Sequence, residues 1–175
     1  MHPHVNQRRT IRHGRVFEIT VENVTLANGV TIDLEIIRHP GAAAIVPLLE
    51  DRRVVMLKQY RHAVGRYMWE IPAGTVDRQE SPMACARREL VEETGYSAAV
   101  WETLGAVQPV PGYSDETIHL FLARDLTPAR QHLDADEILE VHPLPLDEVV
   151  AMIADGRIQD AKTIAAMFLV QQRRI

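Results

Sequence analysis

The residue types best suited to chemistry in this chain fall between Gly74 and Tyr96, in the stretch GTVDRQESPMACARRELVEETGY. Seven positions there are polar or glycine at set intervals: Gly74, Glu80, Arg88, Glu89, Glu92, Glu93 and Gly95. With each residue type used at a few per cent, a given window matches all seven by chance about once in 10⁸ tries. Ser81 suits a helix N-cap, Pro82 the first helical position and Gly95 the left-handed position that ends a helix, so the spacing predicts a helix over Pro82 to Thr94. On that helix Glu89, Glu92 and Glu93 stand at i, i+3 and i+4, which projects three carboxylates from one face while Met83, Ala86 and Leu90 turn toward a core. Like charges so placed repel one another, and the arrangement becomes favourable when a hard divalent cation shares the oxygens. Arg88 then holds a carboxylate in orientation. The loop from Ala73 through Glu80 bends back and offers a backbone carbonyl to the same ion. A solvated, salt-bridged surface helix is the plainer reading of the charges. It leaves the two glycines and the preceding loop in register unexplained.

The elements that must position this helix are legible on either side of it. Residues 1–13 are polar or lack periodicity and are expected to be disordered. Residues 14–40 read as a β-hairpin extension: Phe17, Ile19 and Val21 alternate with polar residues, Asn28-Gly29 marks a turn, and Val30, Ile32, Leu34 and Ile36 alternate again. An isolated hairpin is marginal in water, so it must cover its own domain or reach a second subunit. The remaining domain, 41–175, opens with the apolar run Ala42 to Leu49, a strand buried on both faces, and continues with a strand over Val54 to Tyr60. Trp69 to Gly74 then leads into the helix. Beyond it come a strand over Trp101 to Val107, the loop Gln108 to Glu116, a strand over Ile118 to Leu126, an acidic loop from Leu133 to Glu137 and a short strand over Ile138 to His142. A helix marked by Leu146, Val149, Val150 and Ile153 stops at Gly156, and Asp160 caps a last helix with Ile164, Met167 and Phe168 turned inward. Mixed strands with helices inserted and appended imply an α/β fold, an α/β/α sandwich around a mixed β-sheet.

Composition narrows the class further. The 175 residues suit one domain of ordinary size, and 46% hydrophobic with 25% charged residues is the make-up of a globular protein. A net charge of −5 with no basic run argues against nucleic acid as a partner, and no apolar run approaches a membrane span or a signal peptide. A cytoplasmic location is the expectation. The single cysteine, Cys85, excludes an internal disulfide framework.

The stretch resembles the Nudix box: glycine, five residues, Glu, seven residues, then Arg-Glu-apolar-x-Glu-Glu-x-Gly-apolar. The one departure is the closing apolar position, here Tyr96, read as a packing variation. The likeness extends through HPGAAAIVPL, KQYRHAVG, WEIPAG and PGYSDE, with Pro111 fifteen residues beyond the box, and covers most of residues 14 to 170. These segments are similar to the ADP-ribose and ADP-sugar pyrophosphatase branch. The resemblance implies Mg²⁺-dependent (or Mn²⁺-dependent) hydrolysis of the ADP-ribose diphosphate to AMP and ribose 5-phosphate in a homodimer with exchanged N-terminal strands. It implies metal ligation by the Ala73 carbonyl, Glu89 and Glu93, with Glu92 nearby or on an additional ion, and Arg88 in a supporting role. It implies that Arg61 contacts the diphosphate or ribose, that Glu70 accepts ribose hydroxyls, and that Pro111, Gly112 and Glu116 shape the pocket. Some relatives carry a glutamate general base in the loop around Asp134 to Glu137, where this chain has Ala135. Two alternatives stand open: Glu137 or an aspartate neighbour, and Glu93 itself. A GDP-mannose or other nucleotide-sugar pyrophosphatase is the runner-up. A non-catalytic ADP-ribose sensor ranks lower, because all four glutamates and the arginine are retained.

Overall fold

The structure is a computed structural model that describes residues 2–135 and 137–173. By contacts within the chain it falls into two units: the described residues up to Gly41 together with Gln108–Thr117, and Ala42–Val107 together with the described residues from Ile118 onward.

The first unit is built on an antiparallel sheet in the order β1 (His4–His13), β2 (Glu18–Thr25), β3 (Thr31–Arg38). Two features differ from expectation. His4–His13 is a ten-residue strand, exposed along its whole length, that pairs with β2 from His4↔Thr25 to His13↔Glu18. Its polar sequence hid it, since a strand whose ladder is satisfied on one edge needs no apolar face. On β2 the buried residues are Thr20, Glu22 and Val24, whereas Ile19 and Val21 are half-buried. The buried carboxylate is tolerated because Arg8 Nε lies 2.8 Å from Glu22 Oε1, and Arg38 Nε donates to the same oxygen at 3.1 Å. Asn28-Gly29 makes the turn as read, with the Gly29 N–H donating to the Leu26 carbonyl at φ +85. The loop 108–117 belongs to this unit: Ile37 N donates to the Tyr113 carbonyl at 2.8 Å, and Arg38 Nη1 to Asp115 Oδ2 at 2.9 Å.

The second unit contains β4 (Ala42–Pro47), β5 (Arg53–Arg61), β6 (Arg66–Glu70), β7 (Ala73–Thr75), α1 (Pro82–Thr94), β8 (Tyr96–Val107), β9 (Ile118–Pro128), β10 (Leu139–Pro145), α2 (Leu146–Ala154) and α3 (Ala161–Gln172). One sheet runs β7-β4-β9-β8 and is mixed, because β4 and β9 are parallel while the other pairs are antiparallel. The other, β10-β5-β6, is antiparallel. The apolar run of β4 divides by parity, as a strand's alternation requires. Ala42, Ala44 and Val46 join a core with Val54, Met56, Leu120, Leu122, Met152 and Met167. Ala43 and Ile45 join a second with Phe121, Ala123 and the α1 residues Cys85, Ala86 and Leu90. The α/β/α sandwich therefore places α1 on one face of the mixed sheet and the second sheet with α2 and α3 on the other.

α1 starts and stops where its caps predict. Ser81 accepts from the Ala84 N–H at 3.1 Å, and Gly95 is left-handed at φ +71, its N–H bonded to the Val91 carbonyl. α3 begins at the Asp160 cap as read, but its face is rotated. Thr163, Ala166, Met167 and Val170 are buried, while Ile164 and Phe168 are exposed. The i, i+3, i+4, i+7 stripe from Thr163 is set by a buried hydroxyl that hydrophobicity does not count.

Candidate functional site

β7 and α1 together hold the carboxylates. Glu93 is 2% exposed, and its Oε2 accepts the Ala73 N–H at 2.8 Å, tying the last turn of α1 to the first residue of β7. Glu89 lies one turn earlier, 8% exposed, folded over Gly74. A Cβ added at Gly74 would stand 1.8 Å from Glu89 Oε1. Glycine is required there for space rather than for backbone conformation.

Arg88 organises this cluster from the side. Its Nε and Nη2 donate to the two oxygens of Glu80 at 3.1 and 3.0 Å, and its Nη1 donates to Glu89 at 2.6 Å and to Glu92 at 2.9 Å. Nη2 also reaches the Thr75 carbonyl at 3.3 Å. One guanidinium thus fastens the loop between β7 and α1 to the helix and fixes two carboxylates, a bidentate use that a lysine cannot reproduce. Glu80 and the Thr75 carbonyl are parts of this arrangement whose partner in Arg88 the spacing alone did not identify.

The electrostatics follow from crowding. Burial, reinforced by the charges of Glu89 and Glu137, pushes the Glu93 carboxyl up to about 8, against the Ala73 hydrogen bond. Glu89 is also raised, by burial first and then by Glu92 and Glu137, although Arg88 opposes the shift. Cys85, on the core side of the helix, is pushed up to about 12 by burial, so its thiol is inert. Among the described residues no three acidic, histidine or cysteine side chains already converge as a metal cluster. The donors nevertheless fit a divalent cation. They are hard oxygen ligands on adjacent helical turns beside the backbone of β7, and the burial, reinforced by like charge, that raises Glu89 and Glu93 is what a shared cation would offset.

Glu137 falls in the acidic loop before β10. Its backbone N–H donates to the Asp134 carbonyl at 3.0 Å, and its Oε2 accepts the Asp134 N–H at 2.9 Å. Its charge reaches both Glu89 and Glu93. Asp136, one of the aspartate neighbours considered as a base, lies outside the described residues.

A second cluster joins β5, β6 and α3. Arg61 donates through Nε and Nη2 to Glu70 Oε1 and Oε2 at 2.9 and 2.8 Å, and Lys162 Nζ donates to Oε2 at 2.6 Å. Glu70 is 2% exposed; burial would raise its pKa, but Arg61 and Lys162 overcome this and hold it below the ordinary value. Arg61 also acts on Glu93, placing this pair within electrostatic reach of the α1 carboxylates. Lys162 escaped the sequence reading. Its only local signal is its place two residues after the Asp160 cap, and its partner is 92 residues away. Pro111, Gly112 and Glu116 belong to the first unit. Pro111 and Gly112 are exposed, and Glu116 Oε1 lies 3.7 Å from His39 Nδ1.

Residues 38–167 match the NUDIX domain. A methanol dehydrogenase activator of Bacillus methanolicus is 41% identical over 160 residues, spanning 90% of this chain and 86% of that protein. An ADP-ribose pyrophosphatase of Bacillus subtilis (strain 168) is 37% identical over 166 residues, spanning 94% and 90%. A solved ADP compounds hydrolase superposes with a TM-score of 0.85 at 25% identity, covering 98% of this chain and 94% of that one.

Proposed function

This chain belongs to the Nudix family of hydrolases, and from that premise we propose that it cleaves the diphosphate of ADP-ribose to AMP and ribose 5-phosphate. The observation that carries the reading is the buried Glu89 and Glu93 pair beside Ala73, braced by Arg88 against the Glu80 loop. The choice of ADP-ribose is supported by the relative that bears that name and by the Arg61 fork on β5.

The Ala73 carbonyl, Glu89, Glu92 and Glu93 would hold a divalent ion, Mg²⁺ or Mn²⁺, which when bound would supply charge neutralisation at the diphosphate. The protein's own groups do the rest. Arg88 keeps Glu89 and Glu92 oriented, and its pairing with Glu80 holds the loop closed over the helix. Arg61 offers Nη1, which Glu70 leaves open, to a phosphate or ribose oxygen. Glu137 is our choice for the base that removes the proton of the attacking water. It is a carboxylate outside α1 whose charge reaches Glu89 and Glu93. Pro111, Gly112 and Glu116 are proposed to shape the pocket. The edge strand β1, exposed along its length with Val5 and Ile11 each 47% exposed, supports pairing with a second copy in a homodimer.

The test is AMP release from ADP-ribose with Mg²⁺, run beside GDP-mannose and an EDTA control. AMP with ribose 5-phosphate, abolished by EDTA, is the expected result. Preferential turnover of GDP-mannose would move the protein to a neighbouring substrate class, and saturable ADP-ribose binding without turnover would make it a sensor.

A further inference from the structure

The segment that joins β6 to β7 is pinned at both ends. At its far end the Ala73 N–H is held by Glu93 of α1. At its near end it is held by the first turn of α3. Thr163, fully buried, accepts the Ile71 N–H on Oγ1 at 2.9 Å and donates that hydroxyl to Asp160 Oδ2 at 2.5 Å. Lys162 bridges from the same turn, with Nζ 2.6 Å from Glu70 Oε2 and 3.0 Å from Asp160 Oδ2.

This arrangement bears on what Glu70 does. A carboxylate offers about four acceptor directions, and three are filled: one by Arg61 Nε, one by Arg61 Nη2 and one by Lys162 Nζ. Its side chain is 3% exposed, that of Lys162 is 11% exposed and that of Arg61 is 39% exposed. The outward-facing member of the chain is therefore the guanidinium, and the buried members stand behind it. Four alternating charges, Asp160, Lys162, Glu70 and Arg61, run from the α3 cap to that guanidinium. Each buried charge is compensated by the next, so removing an inner one leaves a neighbour desolvated and unpaired.

We propose that Lys162 is a positioning residue for substrate binding, acting through Glu70 to hold the Arg61 guanidinium toward the nucleotide sugar. The proposal rests on the pyrophosphatase reading and assigns Glu70 to anchoring Arg61 rather than to the ribose. Without Lys162, Glu70 has only Arg61 to neutralise it, and the carboxylate on which the guanidinium rests loses the second cation that fixes its place.

The experiment is a mutant cycle on the full chain with KM and kcat read separately. Lys162→Met is expected to raise KM about tenfold with kcat changed by less than about threefold, and Lys162→Arg to recover most of the loss. In an Arg61→Ala background, Lys162→Met should add less than about a twofold effect, because the group it positions is already gone. Full multiplication of the two losses would overturn the proposal, by showing that Lys162 acts independently of Arg61. A lowered melting temperature with KM unchanged would also overturn it, leaving Lys162 a purely structural ion pair. Should Lys162→Met be too unstable to assay, Lys162→Gln keeps a donor to Glu70 without the charge and is read the same way. Wild-type turnover in the same assay tests the substrate reading independently. If the wild type prefers GDP-mannose over ADP-ribose, the Lys162 and Arg61 coupling is measured on GDP-mannose, so the two ideas fail separately.

Discussion

Glu70 and Glu93 are buried to the same extent, each 2% exposed, yet their surroundings act in opposite directions. Glu70 is met by a guanidinium on both oxygens and an ammonium on one, and its pKa falls below 4.5 despite burial. Glu93 is met by one backbone N–H and by the fields of Glu89 and Glu137, and its pKa is pushed up to about 8. Burial alone therefore does not mark a functional carboxylate. What distinguishes them is whether the protein brings its own cation. Glu70 has its cations from the protein, as the proposed anchoring role requires, whereas Glu93 belongs to a set of like charges that the proposed divalent ion would complete.

The largest expected difference between the two is catalytic. Glu93→Gln should lower kcat by about 10³-fold, while Glu70→Gln should act mainly on KM; steady-state kinetics at saturating Mg²⁺ separates them. Equal kcat losses would break the comparison. The stability effects should run the other way. Glu70→Gln leaves Arg61 and Lys162 facing a neutral amide and should cost about 3 kcal/mol in urea unfolding, whereas Glu93→Gln in EDTA at pH 8 should be neutral or stabilising.

A smaller effect is expected at the floor of the carboxylate cluster. Gly74→Ala drives a methyl into Glu89 and should cost about 1–3 kcal/mol together with a loss of Mg²⁺ affinity, measured by titration of the metal-free protein. If affinity is unchanged, Glu89 is not a ligand.

The pH dependence sharpens the contrast by its sign. Glu93 is raised, so its contribution in metal-free protein is fully present below pH 4.5 and is lost as pH rises through about 8. Glu70 is lowered, so its contribution is present above pH 4.5 and is lost as pH falls through its folded value. Melting temperatures in EDTA should therefore show a decline between pH 4.5 and about 8 that Glu93→Gln flattens and an acid decline that Glu70→Gln flattens. The smallest effect is expected at Glu92, whose side chain is 37% exposed and pairs with Arg88 at i, i+4. Glu92→Gln should change metal-free stability by less than about 0.5 kcal/mol, and a larger change would show that exposure is not what separates it from Glu93.

The sequence by itself determined what is local or periodic. Ser81, Pro82 and Gly95 set the ends of α1, because capping and left-handed backbone are decided within a few residues. The unbroken run in β4 announced a strand buried on two faces, and the intervals from Gly74 to Gly95 announced the carboxylate cluster. Even the need for a glycine at position 74 was visible, though not its reason, which is the Glu89 side chain lying over it. Tertiary structure alone decided which charges meet. A polar strand such as His4–His13 carries no hydrophobic period, so only its ladder with β2 defines it. The inward face of α3 was set by Thr163, a hydroxyl that binds the Ile71 N–H across the fold, so Phe168 turned outward against its hydrophobicity. The pairing of Lys162 with Glu70 spans 92 residues. Such a contact depends on how β5, β6 and α3 pack, and a carboxylate's pKa depends on that contact, so charge pattern in one dimension cannot tell an anchor from a ligand.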